Sequence, residues 1–265
     1  MNIQDQAAFP PPSTVDQDAL FLDVENIGVT FPSNDSLRIE ASNSDSHRIL
    51  KNDRGRILGV KALEDISFRL RQGDRLAVIG RNGSGKTTLL QTLSGILSPD
   101  HGRIVMRGKT TSLININLGM QPEATGHRNI TLRGLASGYT HKDIEARRSS
   151  IEAFCELGDF LHLPMETYSA GMRMRLIFAI ATAFDPEILV LDEWLSAGDV
   201  VFKQKATKRM QEFVAKAGIL ILASHSRQLL LENCNLGVWL DDGQIKRWGS
   251  AEEVMDAYEH AQKDA

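Results

Sequence analysis

An α/β fold with a mainly parallel sheet is predicted by three observations. Three short runs are apolar throughout: Leu76-Ala77-Val78-Ile79, Ile188-Leu189-Val190-Leu191 and Ile219-Leu220-Ile221-Leu222. Strands buried on both faces read this way, and parallel strands are buried on both faces. Stretches with helical spacing separate the runs, which is the alternation of a parallel sheet. A glycine-rich loop joins the first run to its helix, where Leu89, Leu90, Leu93, Ile96 and Leu97 recur at helical spacing.

The elements follow in order. Residues 1–18, with Pro10-Pro11-Pro12, read as a disordered tail. Phe21 to Phe31 is a first strand. The polar stretch at about 33–52, rich in Ser, Asn and Asp, reads as a surface insertion. Ile66, Phe68 and Leu70 alternate with Asp65, Ser67 and Arg69, a half-exposed strand. Gln72-Gly73-Asp74 turns the chain into the first apolar run. Residues from His127 to Pro164 lack strand signals and carry helical periodicity in Ile144, Ile151, Phe154 and Leu157. With the apolar helix Met172 to Phe184 they form a helical subdomain over about 125–184. A further helix covers Phe202 to Ala217. Leu236 to Leu240, Asp241-Asp242-Gly243 and Gln244 to Trp248 predict a terminal hairpin, and Ala251 to His260 a last helix.

Composition narrows the class. A chain of 265 residues, 42% hydrophobic and 24% charged, suits one large domain or a domain with a subdomain. A net charge of −4 gives no reason to expect nucleic acid as a partner. Two cysteines, Cys155 and Cys234, are too few for a disulfide framework and read as buried small hydrophobes. No run approaches the ~18 apolar residues that span a bilayer, and residues 1–17 hold no Lys or Arg, unlike a secretory signal. The expectation is a cytoplasmic protein that docks on a membrane-spanning partner if it works at a membrane.

The chemistry lies at the ends of the apolar runs. Gly80-Arg81-Asn82-Gly83-Ser84-Gly85-Lys86-Thr87 matches the phosphate-binding pattern G-x-x-x-x-G-K-[ST] at every fixed position, between strand and helix as the motif requires. Backbone N–H groups and a helix N-terminus then face phosphate oxygens. Lys86 is expected at the β- and γ-phosphates, Thr87 on Mg²⁺, and Thr88 on a phosphate oxygen. Asp192 ends the second run, where a carboxylate holds Mg²⁺ through water. Glu193 follows, placed to polarise a water attacking the γ-phosphate. His225 ends the third run, where a neutral imidazole can hydrogen-bond the γ-phosphate and sense its loss. Tyr168-Ser169-Ala170-Gly171-Met172 is, by itself, a helix start. Residue chemistry alone reaches a Mg²⁺-dependent NTPase.

In their order, the P-loop, helical insertion, Tyr168–Met172, Asp192-Glu193, Ser196-Ala197-Gly198-Asp199 and His225 resemble an ABC transporter nucleotide-binding subunit over about Phe21 to Ala265. The usual signature L-S-G-G-Q departs here at Tyr168, Ala170 and Met172, while Ser169 and Gly171 match. Leu118-Gly119, Pro122, Thr125-Gly126-His127-Arg128-Asn129-Ile130 and the closing Gly249, Val254 and Tyr258 narrow the resemblance to ATP-binding subunits of polysaccharide exporters. The resemblance implies a P-loop NTPase of the ABC cassette type: a parallel core, an antiparallel β subdomain and a helical subdomain in 19–265. It implies ATP and Mg²⁺, a homodimer, and two copies of an integral membrane permease. It also implies a peripheral position on the cytoplasmic face of a bacterial inner membrane, with lipid-linked glycan met only indirectly. Each ATP would lie between the P-loop of one subunit and Ser169 and Gly171 of the other, with Asp199 near the seam. Phe31 matches the aromatic residue that stacks on adenine. The family's metal- and partner-touching Gln has no single match; Asn115, Ile116, Asn117 and Gln121 compete for it, and the permease is expected at the groove from Asn115 to Gly126. Some relatives append a carbohydrate-binding domain. This sequence stops at Ala265, so glycan selection is expected to rest with the membrane subunit.

Other functions fit less well. A lipid exporter or an importer differs only in its partner. Soluble ABC-type ATPases carry a long coiled coil or two cassettes. A GTPase needs an N-K-x-D motif, absent from the sequence. A non-catalytic module tends to lose the base that Glu193 supplies.

Overall fold

The computed structural model describes residues 19–33, 47–53, 56–114, 116, 119–193 and 200–263. The tail at 1–18, most of the polar insertion, Asn115, Asn117 and Ser196–Asp199 lie outside the described residues.

Two sheets carry the molecule. The first is antiparallel and four-stranded, in the order β2-β3-β1-β5. Here β1 is Phe21–Pro32, β2 Ile49–Lys51, β3 Ile57–Arg71 and β5 His101–Arg107. The second is six-stranded, in the order β10-β9-β4-β8-β7-β6. Its strands are β4 (Arg75–Ile79), β6 (Thr110–Ser112), β7 (Ile188–Asp192), β8 (Ile219–Ala223), β9 (Leu236–Asp241) and β10 (Gln244–Ser250). All its pairings are parallel except β9 with β10.

The three apolar runs split their side chains between two cores. Leu76, Val78, Ile188, Val190, Ile219 and Ile221 join one cluster with Leu22 and Phe68 of the antiparallel sheet and with Leu89, Leu90 and Leu93. Those three leucines belong to α1, Lys86–Leu93. Ala77, Ile79, Leu189, Leu191, Leu220 and Leu222 join the other cluster, against helices. These helices are α2 (Gly126–Ala136), α3 (His141–Cys155), α4 (Ala170–Ala181), α5 (Val200–Ala215) and α7 (Ala251–Lys263). An uninterrupted apolar run is thus the signature of a strand with a core on each side. Cys155 and Cys234 are free and buried, and burial pushes the Cys234 thiol up to about 12, so it stays protonated.

Phe178 of α4 is fully buried and lies with its ring 5.8 Å from Phe154 of α3 and 6.3 Å from Phe202 of α5. Truncating it should cost about 3–5 kcal/mol. We expect Phe178→Ala to lower the denaturant midpoint accordingly; an unchanged midpoint would show that the aromatic triad does not hold these helices together.

Several elements differ from the sequence expectation. β3 is far longer than the Ile66–Leu70 alternation, and it pairs with β2, whose residues 49–51 fall inside the stretch read as a surface loop. β5 has only one residue that is not exposed, so it carries no apolar alternation; pairing with β1 specifies it. β6 is three residues long. A short helix, α6 (Arg227–Asn233), follows β8. The closing hairpin forms as expected from β9 and β10, and β9 also lies beside β4, pairing Leu76 with Leu236 and Ile79 with Trp239.

Candidate functional site

The loop from Gly80 to Gly85 leaves β4 and enters α1. Gly83 (φ 79°) and Gly85 (φ 107°) lie in the left-handed region that side chains disfavour. A Cβ on Gly85 would also stand 2.7 Å from the Ala62 carbonyl. α1 has no side-chain cap and no acidic residue in its first turn. By contrast α2, α3, α4 and α6 are capped by Thr125, Thr140, Ser169 and Ser226. The first N–H groups of a helix have no intrahelical acceptor and carry partial positive charge, so the bare start of α1 suits an anion. Lys86, Thr87 and Thr88 occupy that first turn. Arg81, Asn82 and Gly83 are exposed on the loop, and Gly80 is buried. The buried Ser84 hydroxyl lacks a hydrogen-bond partner among the described residues.

Lys86 Nζ donates to the carbonyls of Gly80 (2.7 Å) and Arg81 (3.0 Å). Burial pushes the pKa of its ammonium below the usual range, and the charges of Asp192 and Glu193 pull it back up. Those carboxylates arrive through sheet register. Val78 and Asp192 both pair with Ala223, so β4, β8 and β7 end side by side. Thr87 Oγ1 donates to Asp192 Oδ2 at 2.9 Å. A hydroxyl beside a carboxylate is hard-oxygen chemistry suited to Mg²⁺. Among the described residues no three His, Cys, Asp or Glu side chains gather as a metal cage.

Glu193 sits at φ 67°, a conformation uncommon for a residue with a side chain. Its N–H donates to the Ala223 carbonyl (2.8 Å), and its Oε1 accepts from the Ser224 hydroxyl (3.0 Å). Ser224 Oγ in turn accepts from the Ser226 N–H at 3.2 Å. Strained backbone of this kind persists only where neighbours over-determine it. The sequence reading gave Ser224 no role; its only signal was a hydroxyl at the end of a buried strand. His225, between Ser224 and the α6 cap Ser226, is exposed.

Ser169 and Gly171 stand apart from this hydrogen-bonded group, on the exposed start of α4. Ser169 Oγ accepts from the Met172 N–H at 3.2 Å, which leaves its O–H free to donate outward. Among the described residues a Cβ on Gly171 would meet only Ser169 Oγ, at 3.9 Å, so none of them requires glycine there. Tyr168, the departure from the usual signature, is buried, with its hydroxyl donating to the Phe160 carbonyl at 2.6 Å. A Cβ on Gly126 would stand 2.5 Å from that hydroxyl, so the small residue of one motif makes room for the large residue of another.

Phe31 is 45% exposed and pairs across strands with Val60, which is 39% exposed and pairs in turn with Ile49. Opposed residues share a face, so the three form an apolar row. The side chain of Gln121 is exposed, but its main chain is held by the fully buried Asn129. Gln121 N donates to Asn129 Oδ1 (2.8 Å), and Asn129 Nδ2 donates to the carbonyls of Gln121 (2.9 Å) and Ala124 (3.0 Å). Ile116 is buried in the helical core.

A parallel sheet with a glycine loop at a strand end and a bare helix behind it defines a P-loop α/β protein. The family model for ABC transporters matches residues 63–196. The O-antigen export system ATP-binding protein RfbE of Yersinia enterocolitica is 40% identical over 88% of this chain and 97% of its own length. The RfbB protein of Klebsiella pneumoniae is 36% identical over 76% of this chain and 81% of its own. The teichoic acids export protein TagH of Listeria monocytogenes is 39% identical over 75% of this chain and 59% of its own. The chain belongs to the ABC transporter family. Among solved structures, an ATP-binding subunit of an ABC transporter superposes with a TM-score of 0.63 at 21% identity, covering 90% of this chain and 93% of that one. A dimeric ATP-binding cassette bound to ADP and Pi gives 0.60 at 16% identity, covering 87% and 98%. These likenesses establish the cassette fold.

Proposed function

We propose that the chain is the ATP-hydrolysing subunit of an exporter that drives a lipid-linked polysaccharide, an O-antigen or capsule-like glycan, through a separate membrane permease. The observation that carries the ATPase is the Thr87–Asp192 pair, 2.9 Å long, beside the uncapped start of α1. The likeness to RfbE over nearly its whole length supports the glycan. Among the described residues no helix is long and apolar enough to cross a membrane.

ATP is bound by the N–H groups of the Gly80–Gly85 loop and of Lys86, Thr87 and Thr88. Lys86 exchanges the carbonyls of Gly80 and Arg81 for β- and γ-phosphate oxygens. Arg81, Asn82 and Ser84 complete the loop. Thr87 and, through water, Asp192 would hold Mg²⁺, which would neutralise charge on the phosphates when bound. Glu193, oriented by Ser224, takes the proton of the attacking water. His225 hydrogen-bonds the γ-phosphate. The Phe31–Val60–Ile49 row gives adenine an apolar face. Gln121 presents its side chain on a main chain fixed by Asn129 and serves the family's metal- and partner-touching role. The domain runs from 19 to 265, with the tail at 1–18, the insertion at about 33–52 and the helical subdomain at about 125–184.

The functional unit is a homodimer on the cytoplasmic face of the inner membrane, with two permease copies. Support comes from the start of α4. An exposed helical glycine costs about 1 kcal/mol against alanine, and no atom of the described residues crowds Gly171. The space suits a partner's γ-phosphate, met by the Ser169 hydroxyl and the α4 N-terminus. Gly171→Asp therefore places a carboxylate against phosphate. Like charges juxtaposed cost several kcal/mol, so hydrolysis should fall by on the order of a hundredfold or more. Binding of ATP by the monomer, followed by titration calorimetry, should stay intact. Weakened monomer binding would move Gly171 into its own chain's pocket.

The test of transport is co-purification with a candidate polysaccharide-export permease from the same genome, followed by ATPase assay. Stimulation by lipid-linked glycan is expected. Stimulation by a simple phospholipid or an imported solute instead would reassign the cargo.

A further inference from the structure

The polar insertion returns to the fold through Arg48, and that side chain reaches the phosphate loop. Arg48 Nε donates to the Lys61 carbonyl at 2.8 Å. Its NH1 donates to the Gly83 carbonyl at 2.6 Å. NH2 lies 3.5 Å from the Ala62 carbonyl. NH1 also faces Asp242 of the β9–β10 turn, 3.8 Å away, too exposed a pair to add much. The Arg48 side chain is only 15% exposed. One guanidinium thus spans the antiparallel sheet, the phosphate loop and the closing hairpin.

The grip on Gly83 has a geometric consequence. A trans peptide is planar, so its C=O and the next N–H point in opposite directions. Holding the Gly83 carbonyl from one side sets the Ser84 N–H on the other, where it donates to the Arg81 carbonyl at 3.2 Å. The neighbouring peptide is held from the same side: the Gly243 N–H donates to the Ser84 carbonyl at 3.0 Å. Gly83 has wide conformational freedom, since a glycine has no side chain to restrict its φ and ψ and among the described residues nothing lies within 4 Å of its Cβ position. A fork with several donors in a fixed plane restrains such a peptide better than a single ammonium. The same residue adjoins the apolar row, because Ile49 follows it and the Arg48 carbonyl accepts from the Lys61 N–H at 2.8 Å.

We propose that Arg48 is a positioning residue for the phosphate loop: it presets the Gly83–Ser84 peptide for the triphosphate and ties that loop to the Phe31–Val60–Ile49 row. This rests on the assignment of the loop to ATP. Removing Arg48 leaves the loop to be ordered by the ligand, which weakens binding without touching the groups that perform hydrolysis.

The experiment compares wild type, Arg48→Ala and Arg48→Lys in the full chain by steady-state ATPase kinetics, competition by inorganic tripolyphosphate, and thermal melting. Hydrogen bonds that involve a charged group contribute about 1.5–3 kcal/mol. Arg48→Ala should accordingly raise KM for ATP about tenfold or more. Its kcat should stay within about twofold, the pattern of lost uniform binding. Tripolyphosphate should compete more weakly by the same factor, because the defect lies at the phosphate end. Arg48→Lys should recover part of the loss, as one donor of the fork survives. An unmoved KM overturns the inference. So does a KM that rises for ATP while tripolyphosphate competes as before, which would put Arg48 at the base. So does a fall in kcat and melting temperature with KM unchanged, which would make Arg48 merely structural. A wild type that neither binds nor hydrolyses ATP removes the underlying nucleotide assignment instead.

Discussion

Lys86→Ala should hydrolyse no ATP above background and bind it about 10–100-fold more weakly, the worth of about 1.5–3 kcal/mol for a charged hydrogen bond. The ammonium already lies inside the loop, bonded to Gly80 and Arg81 carbonyls, so ATP needs only to exchange those partners. Burial has already weakened its hold on the proton, and Asp192 and Glu193 oppose that loss. A triphosphate adds negative charge at the same point and keeps the amine protonated. Phosphate release and titration calorimetry measure the two effects separately. Full activity in this variant would remove the phosphate-loop assignment, and with it the ATPase.

Glu193→Gln should slow turnover by roughly 10²–10⁴, the usual worth of a general base, and leave ATP-bound dimers long-lived on a sizing column. Glutamine keeps the shape and the acceptor for the Ser224 hydroxyl but takes no proton from water. Normal hydrolysis would require another base. A monomer under ATP would contradict the shared pocket. The backbone at this position allows a sharper control. Glu193 holds φ 67°, and a non-glycine residue in that region costs of order 1–3 kcal/mol. Glu193→Gly should therefore be as inactive as Glu193→Gln yet melt no lower than wild type. Lower melting would mean that the carboxylate stabilises this fold, instead of being held by it for chemistry.

Much of this site is legible in the chain because its pieces are local. Gly83, Gly85 and Lys86 fall within four consecutive residues, and the strand and helix that flank them announce themselves by burial and by period. Asp192 and Glu193 stand out because they end an apolar run. The legibility stops where neighbours are distant in sequence. Arg48 and Gly83 are 35 residues apart, and an arginine in a polar stretch carries no signal. Ser224 and Glu193 are 31 apart. In the sequence Asn129 is one letter of a motif; in the fold its amide holds the main chain of Gln121 and Ala124. β5 was invisible because an exposed strand needs no apolar alternation when its ladder to β1 supplies the pairing.

The amino-acid order by itself determined the α/β class, the phosphate loop and the residues that end its strands, because burial on two faces and left-handed glycines are written in adjacent letters. Only the tertiary structure decided which strands lie side by side and where β9 inserts. It also decided that one arginine from the insertion closes on the loop and that a serine steadies Glu193. Hydrogen bonds between distant segments depend on sheet register and chain crossing, and these emerge only when the whole core packs.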